Sequence, residues 1–213
     1  MHCLAVGQEI CSIDGRREIG GPMSTIRTFV AVEIPEEIRH RAAALVERLR
    51  VAQAKVRWTD LPSIHWTMNF LGDVPDTQIP AICDAVAAAA KPFTPFDLVV
   101  RGVGAFPSAG RPRTIWLGAG DGKEPLVYLQ TALERQLATL GFRPEARRFQ
   151  PHLTLGRVRD ASGGLAELAE LLRKHADFDA GPMPVDEVVV FSSRLERTGA
   201  IHERLGAGPL EGR

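Results

Sequence analysis

The feature that most constrains the fold of this 213-residue chain is a strand–helix–strand pattern that occurs twice. One copy runs from RTFV at 27–30 to HWTM at 65–68, and the other runs from RTIW at 113–116 to HLTL at 152–155. Such units are common in α/β chains, but here the histidines also fall in register, 38 and 39 residues after the two arginines. The repeat therefore predicts two similar lobes that face each other across a pseudo-twofold axis.

Apolar periodicity predicts strands and helices from residue 26 onward, without a linker between them. The expected strands are 26–34, 64–72, 96–104, 113–118, 152–158, 184–195 and 200–205. The expected helices are 36–50, a segment after a cap at 76 or 77, 124–140 and 163–175. The stretch 101–113 is rich in glycine and proline, and we expect a loop there.

Composition excludes several classes of protein. No apolar run approaches the ~18–20 residues of a membrane span, which excludes an integral membrane protein. The 26 basic and 26 acidic residues cancel, so the chain does not coat nucleic acid by bulk charge. The three cysteines, Cys3, Cys11 and Cys83, have irregular spacing. They predict free thiols in a reducing cytosol rather than disulfides or a zinc site.

Residues 1–22 differ from the patterned remainder of the chain. They have no basic n-region and no long apolar h-region, so they do not resemble a secretory signal. We expect them to be an N-terminal extension that is either disordered or upstream of a true start at Met23. Residues 23–213 are expected to form a single domain of two lobes.

The repeated His-x-Thr strands suit phosphodiester chemistry. Side chains at i and i+2 share one face of a strand, so His65 points with Thr67 and His152 points with Thr154. Two imidazoles on opposite sides of a phosphorus can serve as base and acid, while threonine hydroxyls donate to phosphate oxygens. A lone histidine would be interpreted as a core residue bonded to a backbone carbonyl, but the matched pair favours a site. The residues alone do not decide which histidine is the acid.

Local charge also points to a phosphate-bearing ligand. Between residues 143 and 159 lie five arginines, at 143, 147, 148, 157 and 159, and a single acid, Glu145. A solvated edge whose arginines pair with distant acids is the alternative. Arg157 lies five positions after His152, so an ideal strand would turn it away, and it reaches the cleft only if Gly156 bends or bulges the strand.

Aromatic residues near the motifs could stack on a base. They are Trp66, Phe70, Phe106 and Phe149. Trp66 is at an odd offset from His65, and we therefore expect it in the core.

The paired motifs resemble those of the RNA 2′,3′-cyclic phosphodiesterase family, also called 2′-5′ RNA ligase or LigT-like, of the 2H phosphoesterase superfamily. The similarity covers about 25–205 and includes RTFVAVEIP, VRWTDLPSIHWTMNFLGDV, GAFPSAGRPRTIWLG and FQPHLTLGRV. The resemblance implies an α+β fold of two antiparallel-sheet lobes, with outer helices, around a central cleft.

The resemblance also implies an activity, the metal-independent hydrolysis of an RNA 2′,3′-cyclic phosphate end to a 2′-phosphomonoester, with weak reverse 2′-5′ ligation. In that scheme His65 is the proton donor, His152 is the proton acceptor, and Thr67 and Thr154 hold the phosphate. Arg157 and Phe149 are the expected substrate-binding residues.

The expected partner is an RNA end, such as a tRNA fragment, bound by a cytoplasmic monomer that needs no cofactor, metal or membrane. Two alternatives stay open. One is the same fold acting on another small cyclic phosphate or a 2′-5′ oligonucleotide. The other is an RNA-end binding module without turnover.

Overall fold

Nine antiparallel strands form one curled sheet in the computed structural model, which describes residues 24–159, 163–196 and 199–212. The expectation for residues 1–22 lies outside these ranges. The strands are β1 (Thr25–Glu33), β2 (Val56–Trp58), β3 (His65–Pro75), β4 (Phe96–Ser108), β5 (Arg111–Ala119), β6 (His152–Val158), β7 (Asp179–Val185), β8 (Glu187–Leu195) and β9 (Ala200–Pro209). The helices are α1 (Glu36–Arg50), α2 (Ile79–Ala90), α3 (Lys123–Thr139) and α4 (Leu165–Lys174).

The strand order is symmetric about the middle of the sheet. It runs β7-β4-β5-β6-β3-β1-β8-β9, and β2 pairs with β6 outside this path. The two motif strands, β3 and β6, are therefore central neighbours, and their repeat partners β1 and β5 flank them. The predicted two-lobed α+β architecture is confirmed, with the lobes joined as the halves of one sheet.

The two faces of the sheet bury different sets of side chains. On β1, Val30 and Val32 belong to the main core, which also contains the buried sides of the helices. Phe29 and Ala31 face the opposite way and form a smaller cluster with residues of β8. This alternation follows from the two-residue period of a strand, and the smaller cluster lies on the face that carries the motif histidines.

The helices cover the main core in pairs that unite the two halves of the chain. α1 packs against α4, and α2 packs against α3. In α1 the buried residues recur at helical spacing: Ile38, Ala42, Leu45, Val46 and Leu49. No helix in the described ranges is both long and apolar enough to span a membrane.

The expectation of a loop over 101–113 is wrong. β4 continues to Ser108 and β5 begins at Arg111, which makes a tight hairpin. Most of the glycines and prolines of this stretch lie within the two strands rather than in a loop. A Cβ on Gly104 would lie 2.3 Å from the Trp116 ring, so glycine admits the tryptophan there. The pairing shifts register between Phe106 and Pro107, and a bulge accommodates a residue without an N–H.

The expected strand at 184–195 is two strands, β7 and β8, which are separated at Asp186. β7 pairs with β4 at one edge of the sheet, whereas β8 pairs with β1 in the other half. This one apolar run therefore begins in one lobe and ends in the other. Apolar periodicity alone does not indicate that the chain passes between the lobes there.

The halves of the sheet meet at a single residue pair between β3 and β6, Trp66 opposite Leu153. Both side chains are fully buried, which confirms the expected core position of Trp66. The Trp66 indole N–H donates to the sulfur of Met183 at 3.3 Å. Because Trp66 and Leu153 point into the core, their neighbours on each strand point out of the opposite face.

Candidate active site

The two motifs converge on one face of the central strands. Extending the Trp66–Leu153 register places His65 opposite Thr154 and Thr67 opposite His152. All four of these side chains are half-buried and line a surface cleft. The histidines are diagonal neighbours, a relation that puts side chains about 7–8 Å apart in a regular pair. That spacing leaves room for a phosphate between the imidazoles.

The cleft has two halves. The His65 half has a volume of about 410 Å³, and the His152 half has a volume of about 710 Å³. Four residues line both halves: Thr67, Phe70, Thr154 and Arg157. The two hydroxyls and the guanidinium therefore lie between the histidines, where they can donate to an anion.

A bulge brings Arg157 into the cleft. Between Ile115 and Trp116 of β5, the pairing with β6 skips Leu155, so β6 contains one extra residue. The alternation resets, and Arg157 emerges on the face of Thr154. Glycine is required at 156 because β2 pairs with β6 at this point, and a Cβ there would lie 2.8 Å from Val56 Cγ1. The Arg157 guanidinium donates to the Thr114 hydroxyl at 3.4 Å.

A matching irregularity in β3 brings Phe70 to the equivalent place. The register with β1 shifts twice, and both Met68 and Asn69 are buried, so Phe70 emerges on the face of Thr67. Its ring is 63% exposed. Phe70 and Arg157 each follow their motif histidine by five residues, and Phe70, one of the aromatics that the sequence places near the motifs, lines the cleft.

His65 lies among aromatic rings. It stacks on Phe29 at a centroid distance of 4.7 Å, and His202 contacts it edge-on at 5.4 Å. Burial, and then the positive charge of His202, lower the pKa of His65 to about 4, while a hydrogen bond to the Ser63 backbone acts in the opposite direction. His65 is therefore neutral at pH 7.

His202 was not among the predicted site residues. It is on β9, where it pairs with Ser193 of β8, and it lines the His65 half of the cleft. Burial lowers its pKa as well. The register of the β8–β9 hairpin brings His202 to His65. Apolar periodicity does not predict that register.

His152 is held by its own strand. Its Nδ1 donates to the Gln150 carbonyl at 2.8 Å, since a carbonyl can only accept, and this bond leaves Nε2 as the other functional nitrogen. The Phe106 ring contacts the imidazole edge-on at 5.0 Å. Each motif histidine thus bonds the backbone two residues earlier, as a core histidine would, yet each also lines the cleft.

Basic residues line the His152 half. Of the five arginines between 143 and 159, those at 147, 148 and 157 line it, as does Arg113 of β5. Within the described residues, none of these four forms an ion pair with a carboxylate. Phe149 lines the same half and also packs against the main core.

Among the described residues, no three His, Cys, Asp or Glu side chains gather as the ligands of a metal ion would. Besides the carboxylates of Asp60 and Glu145, the polar side chains that line the cleft include imidazoles, hydroxyls and guanidiniums. They are suited to proton transfer and to anion binding.

We expect His202→Gln to raise the pKa of His65 from about 4, because glutamine removes the charge that opposes protonation of His65. Burial persists, so the pKa stays below the ordinary 6.5. An NMR titration of the imidazole resonances measures this shift. His40→Gln is the matched control, since His40 is exposed on α1 and pairs with Glu36. An unchanged His65 pKa in His202→Gln would contradict the electrostatic coupling.

Comparison with known proteins gives a consistent result. The family model described as LigT like Phosphoesterase matches the chain twice, at residues 32–116 and 117–202, once for each half of the repeat. A Methanothermobacter thermautotrophicus protein named RNA 2′,3′-cyclic phosphodiesterase is 33% identical over 83% of this chain and 95% of its own length. A Thermotoga maritima protein of the same name is 31% identical over 88% and 97%.

Solved structures share the fold. The Thermus thermophilus protein TT0787 superimposes with a TM-score of 0.71 and 26% identity over 88% of this chain and all of that one. Escherichia coli LigT, solved in complex with 3′-AMP, gives a TM-score of 0.69 and 24% identity over 87% and 98%. With its twofold repeat and paired His-x-Thr strands, the chain belongs to the LigT-like phosphoesterase family.

Proposed function

We propose that this protein hydrolyses the 2′,3′-cyclic phosphate at the 3′ end of an RNA to a 2′-phosphomonoester, using two histidines and no metal ion. The observation that carries the proposal is the convergence of both His-x-Thr motifs around the Trp66–Leu153 pair. Relatives that are about one-third identical over most of the chain bear the name RNA 2′,3′-cyclic phosphodiesterase, which supports this substrate class.

The proposed reaction is an in-line displacement at phosphorus. Nε2 of His152 accepts a proton from water, whose oxygen forms the new bond to phosphorus. The bond to the ribose 3′ oxygen breaks, and His65 gives that oxygen a proton. Thr67, Thr154 and Arg157 donate to the non-bridging oxygens, where negative charge accumulates in the transition state. The Nδ1 bond to Gln150 supports the role of His152, because it leaves Nε2 to accept.

The low pKa of His65 imposes a condition on its role as donor. The imidazole is neutral at pH 7, so it has to take up a proton from solvent when the substrate anion binds beside it. A phosphodiester anion beside an imidazole favours the charged form. We infer that substrate binding raises the pKa of His65 and thereby creates the acid for the reaction.

The proposed function also includes a second reaction, a particular substrate and a cellular setting. We propose that weak 2′-5′ ligation uses the same displacement, with a 5′-hydroxyl in place of water as the nucleophile and the ribose 3′ oxygen again as the leaving group. We propose an RNA end, such as a tRNA fragment, as the substrate of a cytoplasmic monomer.

Incubation of the protein with a short RNA ending in a 2′,3′-cyclic phosphate, in excess EDTA, tests the proposal. We expect complete conversion to the 2′-phosphate, identified by phosphorus NMR or mass spectrometry. RNA that stays bound and intact would favour a binding module instead. RNA that is neither bound nor cut would point to a different small cyclic phosphate.

The two histidine roles can be separated with a cyclic substrate whose 3′ oxygen is replaced by sulfur, because a thiolate leaves without a proton. We expect this substrate to restore most of the activity of His65→Ala, since its missing proton is no longer needed. The sulfur substrate should not restore the activity of His152→Ala, because this variant still lacks a base. Single-turnover rates measure both effects. Rescue of His152→Ala rather than His65→Ala would reverse the assigned roles.

A further inference from the structure

A third imidazole, that of His202, lies beside the proposed acid. Its ring meets the ring of His65 edge-on, with the centroids 5.4 Å apart and the ring planes at 86°. Both side chains are half-buried and line the same half of the cleft. At this distance the two rings are separated by one water molecule at most, so a proton can pass between them.

His202 differs from the other rings around His65 in being able to carry a proton. Phe29 stacks on the His65 imidazole at 4.7 Å, and the centroid of Phe191 lies 6.5 Å away. Neither phenyl ring takes part in proton transfer, whereas an imidazole accepts and donates protons near neutral pH. Among the described residues, no other ring contacts His65. His202 is therefore the titratable member of this enclosure.

The backbone fixes the position of His202 relative to His65. His202 pairs with Ser193 in the β8–β9 hairpin. The Ser63 hydroxyl, in the turn that leads into His65, donates to the Ala200 carbonyl at the start of β9 at 3.2 Å. The segments that carry the two imidazoles are thus joined directly, and the spacing of the rings does not depend on side-chain packing alone.

The buried ring nitrogen of His202 is not committed to a structural bond. This nitrogen, Nδ1, has no hydrogen-bond partner at normal geometry among the described residues. His152 differs, because its Nδ1 donates to the Gln150 carbonyl and its tautomer is thereby fixed. A proton relay accepts a proton at one nitrogen and gives a proton from the other, so it has to change tautomer. His202 is free to do so.

The charged groups around the two imidazoles leave room for an anion. Glu33 lies opposite His65 in the β1–β3 pairing, but its carboxylate pairs with Arg204, which also pairs with Glu187. The other charged side chains that line this half are three arginines and one carboxylate: Arg27, Arg57, Arg157 and Asp60. A bound phosphate adds negative charge to this mainly basic half and favours an imidazolium beside it.

We propose that His202 is a positioning residue for the acid, which takes a proton from solvent and holds it until the bound anion draws that proton to His65. The inference rests on the proposed function and names the route of the proton that leaves with the 3′ oxygen. The protons balance, because His152 returns to solvent the proton that it takes from water, while the His202–His65 pair takes up one. Two adjacent imidazolium charges repel each other, so the pair holds one proton at a time.

Chemical rescue tests the relay. We expect His202→Ala to lower kcat on a 2′,3′-cyclic-ended RNA by about tenfold, less than the loss of His65 itself, because solvent still protonates His65 slowly. The variant also leaves space for a small ring beside the cleft. Added imidazole should restore most of kcat. Pyrazole, which has the same size but is a much weaker base, should not restore it.

His40→Ala is the matched control, because His40 is exposed on α1 and pairs with Glu36. Its kcat should equal that of the wild type with and without imidazole. His202→Phe retains a ring in the enclosure should the alanine variant not fold, and it should show the same loss of kcat. Wild-type kcat in His202→Phe would overturn the relay. Equal rescue of His202→Ala by imidazole and pyrazole, or rescue by neither, would indicate a packing role and would also overturn it.

The relay and the proposed function fail in different ways. Turnover by the wild type with unchanged kcat in both His202 variants would overturn the relay and leave the phosphodiesterase intact. If the wild type does not cut the RNA, the phosphodiesterase fails, and nitrogen NMR of the imidazoles decides the relay with inorganic phosphate as the probe. At a pH where the pair holds one proton, saturating phosphate should move that proton from His202 to His65. A proton that stays on His202 would overturn the relay.

Discussion

The active cleft depends on one contact, the pairing of Trp66 with Leu153 where the halves of the sheet meet. Both side chains are fully buried, so the register of β3 against β6 cannot slip by one residue without moving a tryptophan out of the core. Because neighbours on a strand face opposite ways, that core pair also orients His65 and His152 toward one cleft. Packing energy on one face of the sheet therefore fixes the geometry of the candidate site on the other.

Strand irregularities complete the site on both sides of this contact. A bulge in each motif strand resets the alternation, so the fifth residue after each histidine faces the cleft. The twofold arrangement is chemically asymmetric at that position, with Phe70 on β3 and Arg157 on β6. His65 is also enclosed by rings of β1 and β9, whereas His152 contacts Phe106 and bonds the Gln150 carbonyl. Equivalent motifs thus acquire different environments, which two distinct proton-transfer roles require.

Much of this arrangement is predictable from the sequence, because motif spacing and apolar periodicity reflect local rules. The repeat, the motif strands and the core position of Trp66 follow from two-residue and 3.6-residue periods. The failures share a cause, since they depend on which strands pair. The β4–β5 hairpin at 101–113 uses glycine and proline inside a sheet, and His202 meets His65 only through the β8–β9 register. A bulge in β6 turns Arg157 to the face opposite to the one that strict alternation predicts. Alternation alone indicates only that Arg157 reaches the cleft if the strand bulges.

The central claim is that His65 and His152 act as one unit on a single phosphorus, and kinetics of the two alanine variants and their double variant test it most directly. Each single change should lower kcat on a 2′,3′-cyclic-ended RNA by about 10²–10⁴-fold, because each removes one proton transfer. The kcat of the double variant should be only slightly lower than that of the less active single variant, because one histidine without the other contributes little to catalysis. Losses that multiply, or near-normal turnover without either histidine, would contradict the account.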